Sequence, residues 1–191
     1  MARERKFSTT DIFNETKQLL LDNGYERYNI GQLAEKLNVS RAAIYKYYTN
    51  KDELIVDFML HEMDLMIEEF NNVDPTATFD NQLNCVLNTI FDSKDLHHIL
   101  AFAHLIEAKD NESIANKLET LNTLHLEMYK PLMRLIAKGK QEELIHQDLP
   151  ESVMISFIFQ SIQIPNHTNE PKETFVNSLR KLILNGLYTH K

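Results

Sequence analysis

NGYERYNIGQLAEKLNVSRAAIYKYYTNKDEL, residues 23–54, is the stretch whose reading decides how this chain folds. Asn23-Gly24 reads as a left-handed stop for the helix before it. Ile30, Leu33, Ala34 and Leu37 then recur at helical spacing on one face. Asn29 stands at the N-cap of that short helix, with Gln32 at the reciprocal capping-box position. Asn38-Val39 leaves room only for a tight turn, and asparagine tolerates the left-handed backbone such a turn needs. Ser40 can cap a further helix from Arg41 to about Tyr48, and Asn50 before Lys51-Asp52-Glu53 opens the next. Ala34 is small where two helices would cross closely, and Leu33, Val39 and Ile44 can share one core. Short helices joined by so tight a turn, packed on a preceding helix, define a tri-helical helix-turn-helix.

The same reading extends outward in both directions. A first helix is predicted from Ser8 to about Asp22, with Ile12, Thr16, Leu19 and Leu20 on one side. Beyond Asn50 a long fourth helix reaches about Phe70, and Asn71–Thr78 is a loop holding Asp74-Pro75. The fifth helix carries the stripe Leu83, Val86, Leu87, Ile90 and Phe91. A sixth is expected from Leu96 to Ala108, and a long seventh from Ser113 to Glu143. Pro131 must kink that helix or divide it near Tyr129-Lys130. The eighth covers Glu151 to Ile164 and the ninth Lys172 to Leu187. No alternating strand pattern occurs. The expected fold is all-α: a three-helix head over residues 1–50 and a six-helix bundle over residues 51–191, nine helices in all.

Charge is distributed unevenly. The chain of 191 residues has a net charge of −8, which argues against indiscriminate nucleic-acid binding. Residues 1–51, however, hold 9 Lys and Arg against 6 Asp and Glu, whereas the remainder holds 11 against 22. A basic head on an acidic body suits a compact reader of DNA, since only the head is drawn to phosphates. No apolar run approaches the roughly 20 residues of a membrane helix, and the polar start lacks the core of a secretion signal. The lone Cys85 excludes an internal disulfide and fits a cytoplasmic location.

The outward face of the third helix carries the chemistry. Arg41 and Lys46 can donate to guanine edges or phosphates, and Tyr45 and Tyr47 can donate hydroxyl bonds to phosphates. Ala42 and Ala43 let the helix approach the bases closely. Lys51 adds a charge at the next helix start, the amides beside Asn29 can hold a phosphate, and Arg3, Arg5 and Lys6 form a basic arm. Residues 23–54 resemble the N-terminal signature of the tetracycline-repressor (TetR) family. Gly24-Tyr25, Ile30, Leu33-Ala34, Val39-Ser40, Ile44-Tyr45, Tyr47-Tyr48, Lys51 and Leu54 occupy its places. Asn38 stands where that family commonly has Gly or Ala, Ala42-Ala43 replaces the frequent Gly-Thr, and Asn29 replaces a Thr. The resemblance implies a dimeric transcription regulator that binds a palindromic operator on double-stranded DNA, contacting it through Asn29, Ser40, Arg41, Ala42, Ala43, Tyr45, Lys46, Tyr47 and Lys51. It also implies release of the DNA when a small molecule enters the body.

The body shows two further patterns. The eighth helix is apolar around nearly its whole circumference, with Ser152, Ser156, Gln160 and Gln163 on the remaining strip. A helix of that kind must be covered on most sides. Paired with the ninth helix and their copies, about residues 151–164 and 172–187, it would form a two-fold four-helix bundle. Along the seventh helix, Ile114, Leu118, Leu121, His125, Met128 and Leu132 fall in one stripe, a histidine among apolar neighbours. His125, Met128 and Tyr129, with Phe102, His104 and Phe159, are therefore candidate liners of a ligand pocket. His97 and His104 lie two turns apart, roughly 10.5 Å along a helix axis, too far to share a zinc ion, and no metal or cofactor is expected. No nucleophile triad, phosphate-cradling glycine loop or carboxylate pair is legible, so a regulator rather than an enzyme is expected. The alternative is a TetR-like coactivator or other protein-binding module that no longer reads DNA, which the altered Ala42-Ala43 pair leaves open.

Overall fold

A computed structural model describes residues 7–108 and 111–188. Among the described residues the regular structure is helical: ten α-helices, one 3₁₀ turn and a single isolated bridge between Ile145 and Tyr188. In order these are α1 Thr9–Arg27, α2 Ile30–Lys36, α3 Arg41–Ile44, α4 Lys51–Asn71, α5 Phe79–Asp92, α6 Lys94–Leu100, the 3₁₀ turn Ala101–Leu105, α7 Glu112–Glu127, α8 Lys130–Gln141, α9 Glu151–Ser161 and α10 Lys172–Leu187. The count exceeds nine because the expected seventh helix is two. Its ladder stops at Met128-Tyr129, and Pro131 sits in the first turn of α8, where a missing N–H costs nothing. The expected sixth helix likewise tightens after Leu100 into the 3₁₀ turn.

The described residues group into two compact units. One comprises the described residues up to Asp64 and those between Asp95 and Leu124, the other Leu65–Lys94 and the described residues from His125 onward. In the first, Ile12, Leu20, Leu33, Ile44, Leu54 and Phe58 are almost fully buried. Each such side chain contributes roughly 1.5–3 kcal/mol by leaving water. Phe13 meets Phe58 edge-on at 5.9 Å between ring centroids. Tyr28 spends its hydroxyl on Thr16, 3.0 Å away inside the core.

In the second unit, α5 packs on α8, and α8 on α9. Gly139 sets the closeness of the first pair. A Cβ at that position would stand 2.5 Å from the Phe79 ring. After α8 the chain reverses through Glu143 at φ 55°, with Leu144 N–H bonded to Gly139 C=O at 2.9 Å and Glu143 N–H to Lys140 C=O at 3.0 Å. That is a Schellman closure with a non-glycine residue in the left-handed position.

Candidate functional site

The presentation of the third helix begins with backbone chemistry. The α1 ladder breaks at Gly24, whose φ of 71° turns the chain as the Asn23-Gly24 pair predicts. Asn29 caps α2, its Oδ1 accepting from the Gln32 amide at 3.0 Å. The reciprocal bond is not made, since Gln32 Oε1 is buried without a partner among the described residues. At the other end Asn38 adopts φ 52°, with Val39 N–H bonded to Ala34 C=O at 2.9 Å and Asn38 N–H to Glu35 C=O at 3.0 Å. This Schellman closure turns the chain into α3 within two residues. Ser40 stands at the α3 N-cap in extended conformation, but its hydroxyl makes no cap bond and stays exposed.

Leu33, Ala34 and Ile44 lie beneath, all buried. That leaves Ser40, Arg41, Ala42, Lys46, Tyr45 and Tyr47 exposed, the two tyrosines at 52% and 47%, and Ala43 half-buried. Helical geometry ends sooner than expected, at Ile44 rather than near Tyr48, and Tyr45 to Tyr47 continue as a turn. Phe7 meets the Tyr47 ring edge-on at 5.8 Å. The Arg41 guanidinium lies over Gly31, where a Cβ would stand 2.6 Å from Nη2. The sequence reading missed Gly31. Its signal was a glycine in the first turn of a helix, a residue about 1 kcal/mol worse there than alanine and so in need of a packing reason.

Lys51 does structural work. Its Nζ donates to Tyr25 C=O at 2.9 Å and stands 4.1 Å from the centre of the Tyr25 ring. The Tyr25 hydroxyl in turn donates to Asp52 at 2.8 Å, and burial together with that carboxylate pushes its pKa up. Asn50 Oδ1 accepts from the Glu53 amide at 2.8 Å, so α4 opens with the expected cap. The Glu53 carboxylate reaches back to the Thr49 amide and hydroxyl rather than to Asn50, and meets Lys117 of α7 at 3.7 Å. Lys117 also holds Asp57 at 2.7 Å. Arg3, Arg5 and Lys6 lie outside the described residues.

The six expected pocket residues divide between the units. Phe102 is half-buried beside the His98 ring at 5.3 Å, and His104 is exposed, with Nδ1 bonded to Ala101 C=O. In the second unit Tyr129 stands edge-on to buried Phe159 at 4.6 Å and bonds His125 Nε2 through its hydroxyl at 3.2 Å. Met128 is buried, but His125 is exposed on the single chain, not enclosed among apolar side chains. A cavity of about 320 Å³ lies elsewhere in that unit, between the end of α4, α5 and α8.

A core of three helices that turns a short, cation-bearing helix outward defines a DNA-binding protein of the helix-turn-helix class. Residues 12–57 match the family described as "Bacterial regulatory proteins, tetR family". The "Fatty acid metabolism regulator protein" of Bacillus subtilis (strain 168) is 22% identical over 194 residues, covering 97% of this chain and 98% of that protein. The fold resembles that of the ketosteroid transcriptional regulator KstR2 of Mycobacterium tuberculosis, with a TM-score of 0.76, 13% identity, and coverage of 100% and 98%. It also resembles the transcriptional regulator FadR of Bacillus subtilis, solved in complex with stearoyl-CoA, with a TM-score of 0.65, 20% identity, and coverage of 95% and 100%. Residues 12–57 thus carry the tetR-family match, and the chain is a DNA-binding transcriptional regulator similar along its length to such proteins. No helix among the described residues is long and apolar enough to cross a membrane.

Proposed function

We propose that the chain is a ligand-released repressor that acts in the cytoplasm and binds a palindromic operator as a homodimer. Residues 1–50 are the reading head, and residues 51–191 hold the effector and the dimer contact. The observation that carries the reading is the exposed surface of α3 and the turn after it. Arg41 and Lys46 are assigned to guanine edges or phosphates, Ser40, Tyr45 and Tyr47 to phosphates, and Ala42-Ala43 to close approach. Asn29 contributes at the α2 start beside its cap. Lys51 has three donors and one described acceptor, which leaves protons for a phosphate.

A second copy explains the surface of α9 and α10. Val153 and Phe157 on α9 are 55% and 52% exposed and Leu182 on α10 is 65% exposed, while Leu179, Ile183 and Leu187 turn inward. Pairing these helices with their copies covers that surface and sets two heads on one DNA face, where half-sites lie about 34–36 Å apart. An effector that prefers another head spacing weakens binding by its differential affinity for the two states. Its class is suggested by the fatty acid regulator and the stearoyl-CoA complex among the relatives: an amphiphile with an acyl chain.

Fluorescence anisotropy against DNA from upstream of the protein's own gene, with a scrambled control at two salt concentrations, tests the head. Saturable, sequence-dependent and salt-sensitive binding is expected. Lys46→Ala should lower affinity about tenfold, in line with roughly 1–3 kcal/mol for a good base contact, without altering the oligomer. Unchanged affinity in that variant would remove Lys46 from the interface.

A further inference from the structure

The cavity between the end of α4, α5 and α8 has a composition that neither the head nor the apolar α9–α10 surface explains. Phe70, Val86 and Leu135, all buried, form its apolar wall together with Pro131. Arg134 and Lys138 line it from α8, and its lining includes no carboxylate. Pro131, Arg134, Leu135 and Lys138 follow i, i+3, i+4 and i+7, so one face of α8 supplies both the cations and half the apolar wall. Its volume of about 320 Å³ falls at the lower end of ligand cavities, which run from roughly 300 to 1,000 Å³.

Arg134 is the unusual member. Beyond residue 51 the chain has twice as many acidic as basic residues, and its other arginine and several of its lysines have partners. Lys117 and Lys130 are ion-paired, Lys140 donates to Gln147 and Leu149 carbonyls, and Arg180 bonds Asn88 and Asn177. Arg134 has no hydrogen bond or ion pair among the described residues. In the loop after α4, the Asp74 carboxylate is occupied in its own turn, accepting from the Thr76 amide at 2.8 Å and hydroxyl at 2.7 Å. Gln82 fastens the same loop by donating to Pro75 and Ala77 carbonyls, at 2.9 and 2.7 Å. Lys138 reaches Ala77 C=O only at 3.5 Å. The cavity thus pairs an apolar wall with a planar five-donor cation that is free to take two oxygens at once.

We propose that this cavity binds an amphiphilic organic anion, its carboxylate or phosphate head on Arg134 with Lys138 beside it and its apolar tail along Phe70, Val86 and Leu135. The inference rests on the ligand-response reading and adds to it a place and a charge. Isothermal titration calorimetry of the full chain with decanoate, decyl phosphate and decanol tests it. Both anions should bind saturably at one per chain, the tighter naming the preferred head, and decanol at least tenfold more weakly. Arg134→Gln should abolish that preference, Arg134→Lys should keep part of it, and Lys138→Gln should weaken both anions severalfold. Arg134 is exposed, so these variants should melt with the parent, and a melting scan checks it. Failure of either anion to bind, or equal decanoate affinity in Arg134→Gln and the parent, overturns the site. Operator release is read separately by anisotropy. Binding that depends on Arg134 but leaves DNA affinity unchanged would keep the site and discard its role in regulation.

Discussion

Asn38 carries more of the DNA-reading geometry than its size suggests. At φ 52° it is the residue on which the chain reverses between α2 and α3, and its short amide side chain suffers less there than a branched one. Asn38→Gly should therefore leave stability within a few tenths of a kcal/mol. Asn38→Val should cost about 1–2 kcal/mol, the usual penalty for an L-residue with a Cβ in that region. Urea denaturation of both variants checks the pair, and equal midpoints would show that the turn is not held by this residue. Gly31 is the complementary case, a position defined by what another side chain needs: the Arg41 guanidinium occupies the space a Cβ would take. Turn chemistry of this kind is written in adjacent residues, which is why the head is legible in the amino-acid sequence alone. Gly31 escaped because its reason lies ten positions along the chain. Arg134 escaped for a similar reason, since a lone arginine on a helix reads as a solvated charge until the elements around it are known.

Helix ends and helix contacts decide the next scale. Glu53 holds the start of α4 through the Thr49 amide and hydroxyl, with Lys117 adding a cross-helix charge, and these partners keep its carboxyl below the usual range. A depressed folded pKa means the contribution is present above the unfolded value of about 4.3 and is lost as pH falls through the folded value. The stability gap between the parent and Glu53→Gln should accordingly be widest near neutrality and close below about pH 4. A gap that ignores pH in thermal melts would assign the effect to shape instead of charge. Gly139 gives a test with opposed signs. Alanine is better than glycine in a helix by up to about 1 kcal/mol, yet its Cβ would enter the space of the Phe79 ring. Overpacking costs typically 1–3 kcal/mol, so Gly139→Ala should destabilise. A higher unfolding midpoint would mean that α5 and α8 yield easily. The break at Met128-Tyr129 shows where periodicity stopped serving as a guide. Pro131 announced it, but the stripe through His125 assumed one continuous helix, and the last turn of α7 leaves that histidine exposed.

At the scale of the molecule, one recognition helix reads too few base pairs to find a site, and a pair of heads is the economical remedy. The surface that would join them is legible in sequence because a helix apolar on nearly every side cannot be satisfied by the few helices of so small a body. What sequence could not give is which of those residues the chain covers by itself. Met154, Ile155, Ile158 and Phe159 turn inward, while Val153 and Phe157 remain outside. Charge is the sharpest probe of such a surface, since a guanidinium is tolerated at an exposed position of the monomer and penalised once a second copy buries it without a partner. Phe157→Arg should fold with the parent's melting temperature in dilute solution but elute with the mass of one chain in light-scattering chromatography. Its operator affinity should fall at least tenfold, because each head then binds a half-site alone. Val153→Ala, which trims the surface without charging it, should leave the mass at two chains. A parent protein of one-chain mass at micromolar concentration would rule out the α9–α10 dimer. If Phe157→Arg kept the parent's two-chain mass, the two copies would have to meet elsewhere, and the exposed Leu126 and Met133 of α7 and α8 would become the surface to charge next.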